Sequence, residues 1–165
     1  MCRSLWADDR SGLYRSPNNG FSISFPDNWI QENNHHTGEE ISAYDPSSKL
    51  RNGHYIAGIV VFSEPNLPPM SLEGFVEFGR RHMEEGSGRY GKYKYYGSGK
   101  TTIDGFDAIW LAQSITNKSA RKSKSFTLIH NNRRYVMQCV DDVESFDQFE
   151  SQCNDIVQTF HFAQP

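Results

Sequence analysis

Residues 55–62 restrict the possible folds more than any other stretch, because their apolar side chains occupy both alternate faces instead of one. A strand of that kind is covered from two sides, which points to an interior strand of a layered sheet. Elsewhere the apolar residues alternate. Phe21, Ile23 and Phe25 share one face while Ser22 and Ser24 share the other, the period-two pattern of a half-buried strand. Further strands are expected at 13–15, 29–30, 41–44, 93–95, 100–103, 106–115, 126–130 and 135–140. A kink at Gly97-Ser98-Gly99 interrupts the run, and turns fall at Asp104-Gly105 and Asn131-Asn132. Asparagine tolerates positive φ and so suits a tight turn.

The helical period appears twice. Leu72, Phe75, Val76, Gly79 and Met83 make an amphipathic stripe behind Ser71, a candidate N-cap, and Gly86 and Gly88 stop it. Phe146, Phe149, Cys153, Ile156, Val157 and Phe160 make a second stripe, opened by Ser145 and Gln148 in the spacing of a capping box. With no repeat or linker between these segments, the expectation is a short N-terminal extension, residues 1–12, and one α+β domain over 13–165. A mostly antiparallel sheet carries helices on its faces.

At 165 residues and a net charge of −3, the chain lacks the basic excess with which a general nucleic-acid binder displaces phosphate counterions. Its longest unbroken apolar run, Ile59 to Phe62, falls far short of the ~20 residues of a membrane-spanning helix. Cys2, Cys139 and Cys153 lack C-x-x-C spacing, which speaks against structural zinc. Cys139 and Cys153 fall at core-facing positions, where a reduced, buried thiol is the usual state; pairing stays open if the chain is exported. Cys2 is a candidate lipidation site of an exported lipoprotein, with a cytoplasmic protein as the alternative.

Gly97-Ser98-Gly99-Lys100-Thr101-Thr102 ends as a phosphate-binding loop ends, but Lys94 stands where that motif needs its first glycine. Nucleotide binding is therefore not expected, and no cofactor is implied. His35, His36, Glu39 and Glu40 place imidazoles and carboxylates in one polar loop. They are the candidate metal ligands of an alternative reading, a small hydrolase or metal-dependent enzyme, although a solvated loop has the same composition. Lys118, Arg121 and Lys122, with Lys124, form a basic hairpin tip suited to an acidic partner or anionic headgroups. Tyr93 and Tyr95, with Tyr90 and Tyr96, can line a binding face, since tyrosine offers amphipathic contact area at low entropic cost; packing beneath a covering element is the other explanation.

Three segments together resemble the PsbP-like family. Residues 20–29, GFSISFPDNW, are similar to its aromatic strand, proline and tryptophan. Residues 98–110, SGKTTIDGFDAIW, resemble its strand, Asp/Asn-Gly turn and strand, and the closing helix with Phe160-His161-Phe162 fits its end. The resemblance implies a PsbP-like α/β/α sandwich. It also implies a non-catalytic accessory or partner-binding protein of the bacterial cell envelope or periplasm, acting on a protein partner or a membrane-associated complex. The matching residues are structural and carry no catalytic role.

Overall fold

The computed structural model describes residues 12–33, 37–48, 55–86, 91–117 and 120–163. Ten strands and two helices lie within them: β1 Leu13–Arg15, β2 Phe21–Ser24, β3 Ile30–Glu32, β4 Glu39–Tyr44, β5 Gly58–Pro65, α1 Leu72–Glu85, β6 Lys92–Ile103, β7 Phe106–Thr116, β8 Ala120–His130, β9 Arg133–Asp142, α2 Phe146–Val157 and β10 His161–Phe162. Seven strands form one antiparallel sheet in the order β3-β4-β5-β9-β8-β7-β6, and a small sheet has the order β1-β2-β10. Residues 58–62 of the doubly apolar stretch fall in β5, between β4 and β9, so the strand is interior as expected but starts three residues later. Both predicted tight turns form: Asp104 and Gly105 have φ of 50° and 78°, and Asn131 and Asn132 have φ of 48° and 57°.

Register divides the large sheet into two unequal faces. On the inner face, Ile59, Val61, Phe126, Leu128, Met137 and Cys139 meet Phe21, Ile23, Phe25 and Trp29 of the β2 region and Phe146, Phe149, Cys153, Ile156 and Val157 of α2, forming one buried core. Phe21, Tyr135, Phe160 and Phe162 interlock there: Phe21 stacks on Phe160 at 4.9 Å between ring centroids, and Phe162 stands edge-on to Phe160 at 5.1 Å. On the outer face, α1 is the one helix among the described residues. Ser71 caps it, its Oγ accepting from the Gly74 N–H at 3.0 Å, but none of its residues is fully buried.

The structure corrects two expectations about the second helix. Cys139 and Cys153 are joined in a disulfide, with Cα atoms 6.1 Å apart; α2 lies across β9, so two core-facing cysteines from facing elements meet at bonding distance. Ser145 occupies the N-cap position without a side-chain cap. Its backbone is in the right-handed helical region and its Oγ donates weakly to the Asp142 carbonyl at 3.4 Å, so a turn through residues 142–145 replaces the capping box. Two lysines then tie α2 to β8. Lys124 Nζ donates to Glu150 at 2.7 Å and to Asn154 at 3.1 Å, and Lys122 Nζ donates to Asp147 at 2.6 Å.

The phosphate-loop-like glycines have a packing role. Their segment continues β6 without a break, apart from a bulge between Tyr95 and Gly97, and the Trp110 ring lies across it. A Cβ on Gly99 would sit 2.7 Å from Trp110 Nε1, closer than non-bonded atoms come. Gly99→Val is therefore expected to dislodge the indole and cost about 1–3 kcal/mol through overpacking. Urea denaturation with tryptophan emission checks this; an unchanged midpoint and unshifted emission would refute it.

Candidate functional site

The edge of the large sheet gathers the exposed polar and aromatic residues. β6 is its last strand, and among the described residues no strand pairs with its outer side. Alternation sends successive side chains to opposite faces, and the bulge resets it. Tyr93 and Tyr95, opposite Ile115 and Gln113, fall on the outer face beside α1. Tyr96 falls on the inner side, where its hydroxyl accepts from Ser114 Oγ at 3.3 Å, and the Lys94 and Lys122 ammonium groups lie 4.7 and 4.8 Å from its ring centroid. Tyr95 and Tyr96 keep 44 % and 40 % of their surface in solvent, so together they flank the strand edge.

The other candidates separate for the same reason. Arg121 is exposed on the outer face, while Lys122, on the inner face, retains only 13 % side-chain exposure and pairs with Asp147. Lys118 and Tyr90 lie outside the described residues, as do His35, His36 and Cys2. Glu39 is buried and accepts from Ser42 Oγ at 2.6 Å. Glu40, at a bulge in β4, instead accepts from Ser16 Oγ at 3.0 Å and Asn19 Nδ2 at 2.5 Å next to the small sheet. These two carboxylates are committed to different structural partners, and among the described residues no three His, Cys, Asp or Glu side chains gather as a metal site.

Tyr93 lies half-buried near α1. Among the described residues its hydroxyl has no hydrogen-bond partner, and burial pushes its ionisation upward. Gln113 Oε1 on the same face is likewise buried without a donor among the described residues. Beside them a cavity of about 510 Å³ opens between the C-terminal half of α1 and the sheet, lined by His82, Met83, Ile115, Arg121, Ser123 and Val140 among others. The sequence holds one signal of it: Gly79, in the middle of the sheet-facing stripe of α1, where a Cβ would meet no heavy atom within 4 Å. Gln113 and Val140 carry no such signal, since a strand pattern alone does not show that the helix above them stands off.

No family model matches the sequence, and no curated protein does. Solved structures match nearly throughout. Cyanobacterial PsbP of Synechocystis aligns over 98 % of this chain and 97 % of its own, with a TM-score of 0.69 and 13 % identity. LpqN of Mycobacterium tuberculosis, involved in cell envelope biogenesis, aligns over 87 % of this chain and 83 % of its own, with a TM-score of 0.60 and 12 % identity. The Saccharomyces cerevisiae Ran-binding protein Mog1p aligns over 92 % and 95 %, with a TM-score of 0.61 and 10 % identity. The chain has the α+β PsbP-like fold, and at these identities the likeness is one of fold alone.

Proposed function

We propose that this protein is a non-catalytic accessory module of the bacterial cell envelope that binds an acidic protein partner through the edge of β6. The observation that carries this reading is the paired exposure of Tyr95 and Tyr96 on the two sides of an unpaired edge strand that also bears the exposed Lys92 and Lys94. An extended acidic segment laid along that edge would gain main-chain hydrogen bonds from β6, aromatic contact from the tyrosines and charge complementarity from the lysines. The same lysines oppose pairing of β6 with a second copy of itself. The buried Cys139–Cys153 disulfide supports an oxidising compartment, and Cys2 is the candidate lipid anchor there.

A photo-reactive phenylalanine analogue placed at Tyr95 or Tyr96 tests the surface. Each position is expected to give one discrete cross-linked adduct in envelope fractions, whereas the same analogue at Gln152, on the exposed side of α2, gives none. The double variant Tyr95→Ala/Tyr96→Ala should lower capture at least tenfold with thermal unfolding unchanged. Equal adducts from all three positions, or none from any, would rule out β6 as the docking edge.

A further inference from the structure

The cavity under α1 is distinct from the β6 edge and has a chemistry of its own. Its walls combine apolar groups, Met83, Ile115 and Val140, with the guanidinium of Arg121, and among the described residues no carboxylate lines it. Several other cations are committed: Arg80 and Arg81 to Glu77, Lys100 to Glu73, Lys122 to Asp147, Lys124 to Glu150 and Arg134 to Glu64. Arg121 forms no ion pair among the described residues, even with Asp142, its neighbour across β8 and β9. On the same sheet face, next to the lining residues, Tyr93 pairs in register with Ile115, and Gln113 with Ser123. Both leave a buried polar atom without a partner among the described residues, which costs on the order of 1–3 kcal/mol for each unless something else bonds to it. Gly79 lies one turn before Met83 on the stripe that faces the sheet, with open space at its Cβ position. Glycine inside a helix costs roughly 1 kcal/mol against alanine, yet no close contact here requires it.

We infer that this cavity is a binding site for a small single-chain amphiphile with a monoanionic head. The apolar chain lies between Met83, Ile115 and Val140, and the head pairs with Arg121. At about 510 Å³ the space lies within the ordinary range of small-molecule sites, which combine apolar walls with a few placed polar groups. A carboxylate paired with an arginine can form two parallel charge-assisted hydrogen bonds, which a neutral or cationic head cannot.

Calorimetric titration of the whole protein with decanoate, below the concentration at which it self-associates, provides the test. Decanoate is expected to bind one to one, while acetate, which lacks the chain, and decyltrimethylammonium, which reverses the charge, bind at least tenfold more weakly. Arg121→Gln should weaken decanoate at least tenfold without changing the unfolding temperature, because the residue is exposed. Gly79→Leu should fill the cavity and abolish binding while the unfolding temperature holds or rises, which separates a filled site from a broken fold. Several results would overturn the inference: no decanoate binding by the native chain, equal affinity in Arg121→Gln or Gly79→Leu, or equal affinity for the cationic amphiphile. Sedimentation with phosphatidylglycerol vesicles in the absence of decanoate binding would also overturn it, assigning the arginine to a membrane surface instead.

Discussion

Replacing both Cys139 and Cys153 with alanine is expected to remove about 3 kcal/mol of stability, the chain-entropy value for a closed loop of roughly 15 residues. The two cysteines are 14 residues apart in sequence and neither is exposed. The bond closes the path from β9 through the 142–145 turn to the middle of α2, so without it the unfolded chain gains freedom while the folded contacts largely persist. Against a typical total of 5–15 kcal/mol that is a large share, and it corresponds to roughly 6–12 °C in unfolding temperature for a domain of this size. Urea denaturation of native and double-alanine proteins measures it. A second arm, native protein unfolded with and without reductant, should show the same loss; a difference below about 0.5 kcal/mol in both would mean that packing of α2 alone holds this end of the core.

The second large effect is expected at Phe160. It is fully buried, stacks on Phe21 and lies edge-on to Tyr135 and Phe162, so Phe160→Ala removes a ring from a close-packed cluster and leaves a cavity between the two sheets. The cost should be about 3–5 kcal/mol, with loss of the near-ultraviolet circular dichroism that the interlocked rings produce. Phe160→Leu retains most of the volume and should cost less than half as much. Phe78 serves as the contrast: it is an aromatic residue of α1 with 58 % of its surface exposed, and Phe78→Ala should fall within about 0.5 kcal/mol of the native protein. Equal losses at Phe160 and Phe78 would contradict the assignment of the inner face as the core.

These two sites also mark how far the sequence can be read. The cluster around Phe160 was legible because strand and helix periods alike direct Phe21, Phe25, Trp29 and Phe160 to one side. The disulfide was not, since periodicity places Cys139 and Cys153 facing the core but does not align α2 over β9. Likewise, the glycines of 97–99 look like a phosphate loop until Trp110, eleven residues after Gly99 in sequence, is seen lying against them. The basic tip read as one patch, Lys118, Arg121 and Lys122, because neighbours in sequence invite grouping; the alternation of β8 assigns Arg121 and Lys122 to opposite faces. Faces of single elements are local properties that a pattern records. A cavity or a cross-link depends on how two elements are set against each other, which no single pattern contains.

The small sheet sets a condition on synthesis. β2 lies between β1 and β10, and the fastening between β2 and the segment leading into β10, Ser24 with Thr159, joins residues 135 positions apart. Asp104 secures the far end, accepting from the Phe162 N–H at 2.8 Å and pairing with His161. Phe21 thus emerges from the ribosome early and waits for Phe160 until almost all of the domain has followed. Such non-local closure is slow to form, so the small sheet is completed only after residues 159–162 have been made, however early the strands of the large sheet pair.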